Sequence, residues 1–260
     1  MPRTPCVLTG ASSGIGAALA PMLAKEGYDL VLVARREAEL ARVAEQVRAA
    51  EPAAVVEVFT LDLAKPGAGE RLFERAPGAK LVVNSAGFGK LGPALKYDLE
   101  TYHRMIALNV SAITDITYVY AKRMSEDGGG TVCNIASTAG FQPIPYFTVY
   151  AATKAYVVSF CEGLHFELRK KGVNVLAYCP GPVDTPFEAA AEVPAEMLTY
   201  SHHFMITAEH CARVAVKAIR RRAENVVPGF WAGLGAIGAR WSPRRLARWS
   251  AAFLFRPPGV

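Results

Sequence analysis

The chain has few cysteines, and none lies in a paired motif. Cys6, Cys133, Cys161, Cys179 and Cys211 form no C-x-x-C element, which argues against a zinc ribbon and against a thioredoxin-like redox motif. An odd, scattered set embedded in apolar runs also argues against a disulfide framework, and buried, inert thiols in a reducing compartment are expected. His103, His165, His202, His203 and His210 lack metal-ligand spacing, so no metal is expected. No run of about 18 apolar residues occurs, so no helix is expected to span a membrane. The first strand begins by Cys6 and leaves no room for a signal peptide, so a cytoplasmic protein is expected. Internal repeats and low-complexity linkers are absent as well.

Carboxylates are missing from one region in particular. Glu224 is the last acidic residue, and Arg240, Arg244, Arg245, Arg248 and Arg256 follow it. The formal charge of +6 therefore sits almost wholly in the tail, and the remainder is near neutral. No basic face runs along the chain, so nucleic acid is not an expected partner.

What is present is a full apolar core for one large unit: 260 residues, 52% of them hydrophobic. Short apolar runs alternate with longer helical stretches. Strands are read at Cys6–Leu8, Asp29–Ala34, Val55–Leu61, Leu81–Asn84, Thr131–Ile135 and Val173–Cys179, with a short last one at Val226–Val227. Helices are read at Ile15–Glu26, Glu37–Ala50, Glu70–Arg75, Thr101–Met124 and Tyr150–Lys171, and from Thr207 to about Arg222. Runs such as Leu81-Val82-Val83 are apolar on both faces, as a parallel sheet covered by helices requires. The pattern predicts a single-domain α/β fold, a Rossmann-type doubly wound parallel sheet with helices on both faces. The domain is expected over 1–230, with a substrate lid at about 182–206, and a basic amphipathic extension over 231–260.

Three clusters carry chemistry. Thr9-Gly10-Ala11-Ser12-Ser13-Gly14-Ile15-Gly16 follows a strand and opens a helix, the setting in which glycines let backbone approach a pyrophosphate at a helix N-terminus. The second strand ends in Ala34-Arg35-Arg36. A carboxylate to bind a ribose 2′-OH is missing there, and two guanidinium forks suit a 2′-phosphate. NADP(H) is thus the expected cofactor. Tyr150 and Lys154 are four apart on a helix and share a face. A nearby ammonium is expected to lower the phenol pKa, so that Tyr150 exchanges a proton with an alkoxide. Ser137 ends the fifth strand at the ligand edge, and Asn109 is a polar residue that a helix interior does not require.

Taken in order, these pieces resemble the short-chain dehydrogenases/reductases. The matching segments are Thr9–Gly16, Asp62 after the third strand, Asn84-Ser85-Ala86-Gly87, then Asn109, Ser137, Tyr150 and Lys154, and finally Pro180-Gly181-Pro182-Val183-Asp184-Thr185. Ser85 stands where the family has a second asparagine. The resemblance implies that Gly10, Ser12, Ser13, Gly14, Ile15 and Gly16 hold the cofactor phosphates, and that Asp62, with Leu63 beside it, hydrogen-bonds the adenine amino group. It places Asn84, Ala86 and Gly87 along the cofactor's middle, with Pro180, Gly181, Val183 and Thr185 at the nicotinamide. Lys154 would bind the ribose and tune Tyr150, while Asn109 would hold a water in a proton relay. Ser137 and Tyr150 would meet the substrate oxygen.

The look of Pro143-Ile144-Pro145-Tyr146 and the basic apolar tail is similar to the hydroxysteroid dehydrogenase and 3-ketoacyl reductase branch. A bulky apolar carbonyl substrate, such as a steroid or a 3-ketoacyl thioester, is expected on that basis, and the family resemblance implies a homodimer or homotetramer. Two other readings stay open: a non-catalytic NADPH-binding regulator, and a membrane-surface protein acting through its tail. Arg and Trp in 231–256 suit peripheral contact with an anionic membrane, and equally a packed tail or a cover over the pocket. His202 and His203 lie where a lid would touch substrate.

Overall fold

The computed structural model describes residues 2–197 and 205–258. Seven parallel strands form one sheet in the order β3-β2-β1-β4-β5-β6-β9. They are β1 (Thr4–Thr9), β2 (Tyr28–Ala34), β3 (Val56–Thr60), β4 (Leu81–Asn84), β5 (Gly130–Ile135), β6 (Val173–Tyr178) and β9 (Asn225–Val226). A separate parallel pair, β7 (Val183–Asp184) and β8 (Ile206–Thr207), joins both ends of the segment expected as a lid. The strand order reverses between β1 and β4, which opens a crevice at the carboxyl edge of the sheet. This is the expected Rossmann-type doubly wound architecture.

Alternation along the buried strands sends neighbouring residues to opposite layers. Cys6, Leu8, Leu30, Leu32, Leu81 and Val83 face one side. There they meet α1 (Gly14–Lys25), α2 (Glu37–Ala50) and the helix Ala208–Arg220. Val7, Val33, Val82, Val132 and Val175 face the other side. They pack on α3 (Ala68–Arg75), on the long helical stretch that follows β4 and on the helix after β5. All five cysteines are free and buried. Burial pushes the thiols of Cys161 and Cys179 up to about 12, so they are inert at neutral pH.

The long helix expected over Thr101–Met124 is not uniform. It comprises α4 (Leu99–Ile106), a π-helical stretch (Ala107–Ala112) and α5 (Ile113–Glu126). Next come α6 (Thr148–Leu168) and a short α7 (Phe187–Ala190). The helix at Ala208–Arg220 is α8, capped by the Thr207 hydroxyl as expected. The tail forms α9 (Phe230–Trp241) and α10 (Arg244–Leu254). Among the described residues, no helix is long and apolar enough to cross a membrane.

Leu81 is 1% exposed in the central strand, whereas Leu95 is 99% exposed. Leu81→Ala is expected to lower stability by about 2–5 kcal/mol, and Leu95→Ala by no more than about 0.5 kcal/mol. Urea unfolding of the two variants checks this, and equal losses would contradict the placement of the core.

Candidate active site

Local geometry makes the glycine turn a cradle. The Thr9 hydroxyl accepts hydrogen bonds from the Ser85 and Ala86 amides, at 3.1 and 3.3 Å, and pins the ends of β1 and β4 together. Gly10 has φ +66°, and a Cβ there would lie 2.6 Å from the Ala86 nitrogen, so only glycine fits. Gly16 packs against the Gly10 carbonyl and lets α1 start close to the turn. Ser13 precedes α1 without capping it by its side chain, and the first-turn N–H groups of α1 suit an anion. The Arg36 guanidinium donates to the Ser12 and Ser13 hydroxyls at 3.2 and 3.1 Å, which folds this cation over the same cradle.

The polar machinery converges at the other end. Lys154 lies one helical turn beyond Tyr150 on α6, and both are buried. The ammonium donates to the Ile135 carbonyl at 2.7 Å and lies 5.6 Å from the Tyr150 ring centre. Asn109 sits in the π-helical stretch, a distortion frequent at functional sites. Its amide donates to the Phe88 carbonyl at 2.8 Å and to the Thr153 hydroxyl at 3.2 Å. Its oxygen accepts from the Phe88 amide at 3.2 Å. A side chain on Gly87 would meet Asn109 Oδ1 at 3.2 Å and Lys154 Nζ at 3.5 Å, so glycine keeps the space between these two groups open.

Electrostatics correct one expectation. Burial holds the Tyr150 phenol above its ordinary pKa, and a hydrogen bond with Ser137 opposes this only in part. The ring stacks on Phe147 at 4.3 Å and leans on Phe187 at 5.4 Å, so desolvation dominates. The same burial lowers Lys154 to about 8. Its hydrogen bond goes to a backbone carbonyl, which does not supply the negative charge that would hold the proton. Glu188, half-buried beside Thr185, is raised by burial as well.

A cleft of about 730 Å³ joins the two ends. Every residue expected at the site lines it except Gly16, Asn84 and Asn109. Asn84 turns away behind the wall, where its amide donates to Asn134 Oδ1 at 2.8 Å. It therefore braces β4 against β5. Asn109 braces the Phe88 backbone from behind. Ala34, at the end of β2, lines the arginine end, and Leu61, Asp62 and Leu63 complete it. This donor set fits a dinucleotide bearing a 2′-phosphate.

Two glycines escaped the sequence reading. Gly89 lies against Phe147 and Tyr150, and a Cβ there would approach the rings to 2.8–2.9 Å. Gly140 lets the turn after β5 approach the Lys154 carbonyl, 2.7 Å from where its Cβ would be. Both are glycines after strands, a visible signal whose partners are not. Phe255 at the end of the tail lines the cleft and stacks on Phe147 at 6.4 Å.

The expected lid is clamped in its described part. Glu192 accepts from Lys90 at 2.6 Å, Lys96 at 2.9 Å and the Tyr97 hydroxyl at 3.1 Å. The two ammoniums hold its carboxyl at about 2. His202 and His203 lie outside the described residues.

Known proteins resemble this chain in sequence and in fold. The family model "short chain dehydrogenase" matches residues 5–194. An uncharacterized oxidoreductase of Staphylococcus saprophyticus is 37% identical over 184 residues, covering 69% of this chain and 78% of the relative. A short-chain dehydrogenase from Sphingobium yanoikuyae, solved with NADPH, is 30% identical with a TM-score of 0.81, covering 91% of this chain and 93% of that one. A Comamonas testosteroni alcohol dehydrogenase described as bulky-bulky ketone specific is 28% identical with a TM-score of 0.76, covering 90% and 91%.

Replacing Arg35 and Arg36 together by alanine is expected to weaken NADPH binding at least about tenfold, since each charge-assisted hydrogen bond contributes about 1.5–3 kcal/mol. NADH binding should change little. Titration of both dinucleotides checks this, and equal losses would remove the arginines from 2′-phosphate recognition.

Proposed function

Because the chain belongs to the short-chain dehydrogenases, we propose that it reduces a bulky, apolar ketone or aldehyde to an alcohol with NADPH, Tyr150 serving as the proton donor. One observation carries this reading. Tyr150, Ser137 and Lys154 meet at the apolar end of a cleft whose far end holds the arginines and the glycine cradle.

Bound NADPH supplies the hydride that goes to the carbonyl carbon. The protein's own groups handle the oxygen. Ser137 and Tyr150 orient it by hydrogen bonding, and the Tyr150 hydroxyl gives up its proton as alkoxide character develops. A phenol held protonated by burial suits that role, because the acid form is the resting form at neutral pH. Lys154 then faces the phenolate left behind and stabilises it, a stronger effect in this dry setting than in water. Asn109, through the Phe88 backbone and Thr153, positions the loop and helix around them.

The substrate class follows from the other wall. Phe88, Leu108, Ile144, Phe147, Phe187 and Val193 line the cleft, and the small Ala232, Ala236 and Ala239 of α9 leave it wide. Glu188 disfavours an anionic group close to the carbonyl. The Comamonas relative's preference for bulky-bulky ketones supports this assignment. Self-association would use the face where Leu99, Ile106, Tyr118 and Tyr156 are exposed. The tail adds contact with a membrane surface to the reading.

Tyr150→Phe is expected to retain NADPH binding and lose about 10²–10⁴-fold in turnover; full activity would remove the assigned acid. Lys154 carries its charge below about pH 8 and loses it above. The kcat/KM for reduction should therefore be level on the acid side and fall as pH rises through that point. A profile with no inflection there would contradict the role of the ammonium.

A further inference from the structure

The tail helices are built inside out. On α9, Ala232, Ala236 and Ala239 line the cleft, while Phe230, Leu234, Ile237 and Trp241 form an exposed stripe at helical spacing. On α10, Ala247 and Ala251 are buried, and Leu246, Trp249 and Phe253 point outward. Nine of the sixteen exposed large hydrophobic residues among those described fall between Phe230 and Leu254, with Trp241 85% and Phe253 82% exposed. An ordinary surface helix shows the reverse arrangement, and apolar exposure this concentrated marks an interaction surface.

Charge selects the occupant. The segment from Asn225 onward contains five arginines and no carboxylate. Arg240 is taken by Glu162 at 2.6 Å. Arg244, Arg245 and Arg248 are exposed beside the apolar stripe of α10, and none forms an ion pair among the described residues. A two-fold contact of this face with a second copy would bring the same arginines together with no acid from the tail to meet them. An anionic lipid surface neutralises them and accepts the aromatic stripe.

Position gives the contact a consequence. α9 separates this outer face from the cleft by one helix, about 10 Å across. Gly233, Gly235 and Gly238 on it have no heavy atom within 4 Å of where a Cβ would lie, so side chains do not fill the space beside them. Beyond α10, Phe255 stacks on Phe147, which stacks on Tyr150.

We propose that α9 and α10 seat the protein on an anionic bilayer, and that the carbonyl substrate passes from the lipid into the cleft along the inner wall of α9. The second half rests on the reductase reading above; the first does not.

The chain's three tryptophans, Trp231, Trp241 and Trp249, all lie in this segment, so their emission reports docking without any turnover. Full-length protein is mixed with phosphatidylcholine vesicles, or with vesicles carrying about a quarter phosphatidylserine. Expected results are a blue shift and co-sedimentation at least tenfold stronger with the anionic vesicles, weakening as salt is added. Arg244→Ser, Arg245→Ser and Arg248→Ser combined should lose that preference. Trp241→Ser with Phe253→Ser should lose binding at least tenfold. Both variants should reduce a short water-soluble ketone with NADPH like the parent, yet lose at least tenfold in kcat/KM for a long-chain ketone presented in vesicles. No binding, or equal binding to neutral vesicles, overturns docking on an anionic bilayer. A dimer in sedimentation velocity abolished by the same substitutions also overturns it and makes the face a subunit contact. Docking with equal turnover of both ketones in parent and variants overturns the entry route alone. Docking with no turnover of any carbonyl overturns the reductase reading and leaves the docking in place.

Discussion

The Lys154 ammonium, buried and bonded to the Ile135 carbonyl, ties α6 to the end of β5. Placing a charge in so dry a position costs free energy, and the lowered pKa is the direct sign of that cost. The surroundings are shaped to tolerate it. Gly140 lets the turn after β5 lie against the Lys154 backbone, and Gly87 leaves open the side facing Asn109. Tyr150, one helical turn away, inherits its position from the same anchor.

Around the anchor, the scaffold supplies rigidity and the later segments supply shape. The π-helical stretch between α4 and α5 directs Asn109 at the Phe88 backbone and at Thr153, joining three elements through one amide. Asn84, Thr117 and Asn134 form a second buried polar group beneath the sheet edge. It holds β4 against β5 and α5. By contrast, the substrate end is walled by α7, α9 and Phe255, elements outside the main sheet. Conserving the sheet edge while varying those walls changes specificity without touching proton transfer.

The Glu192 contacts make the region near α7 more ordered than a free lid. One carboxylate gathers two lysines and a tyrosine hydroxyl, all exposed enough that salt screens their attraction. The β7–β8 pairing clips the two ends of the segment together. Entry to the cleft is therefore constrained on this side, whereas the α9 wall is held by small residues and glycines.

Local chemistry made much of this protein legible in its sequence. Short runs apolar on both faces marked the parallel strands, Gly10 and Gly14 marked the turn, and a four-residue spacing put Tyr150 and Lys154 on one helix face. These signals act over a few residues, where backbone geometry leaves little choice. Tertiary structure alone decided the rest. It showed that burial raises the Tyr150 phenol, that Asn84 braces the sheet behind the cleft, and that Gly89 and Gly140 serve the rings and the lysine. It also turned the tail inside out, with alanines toward the cleft and tryptophans toward solvent. Desolvation, close approach and exposure depend on which distant segments meet, and spacing along a chain does not contain that information.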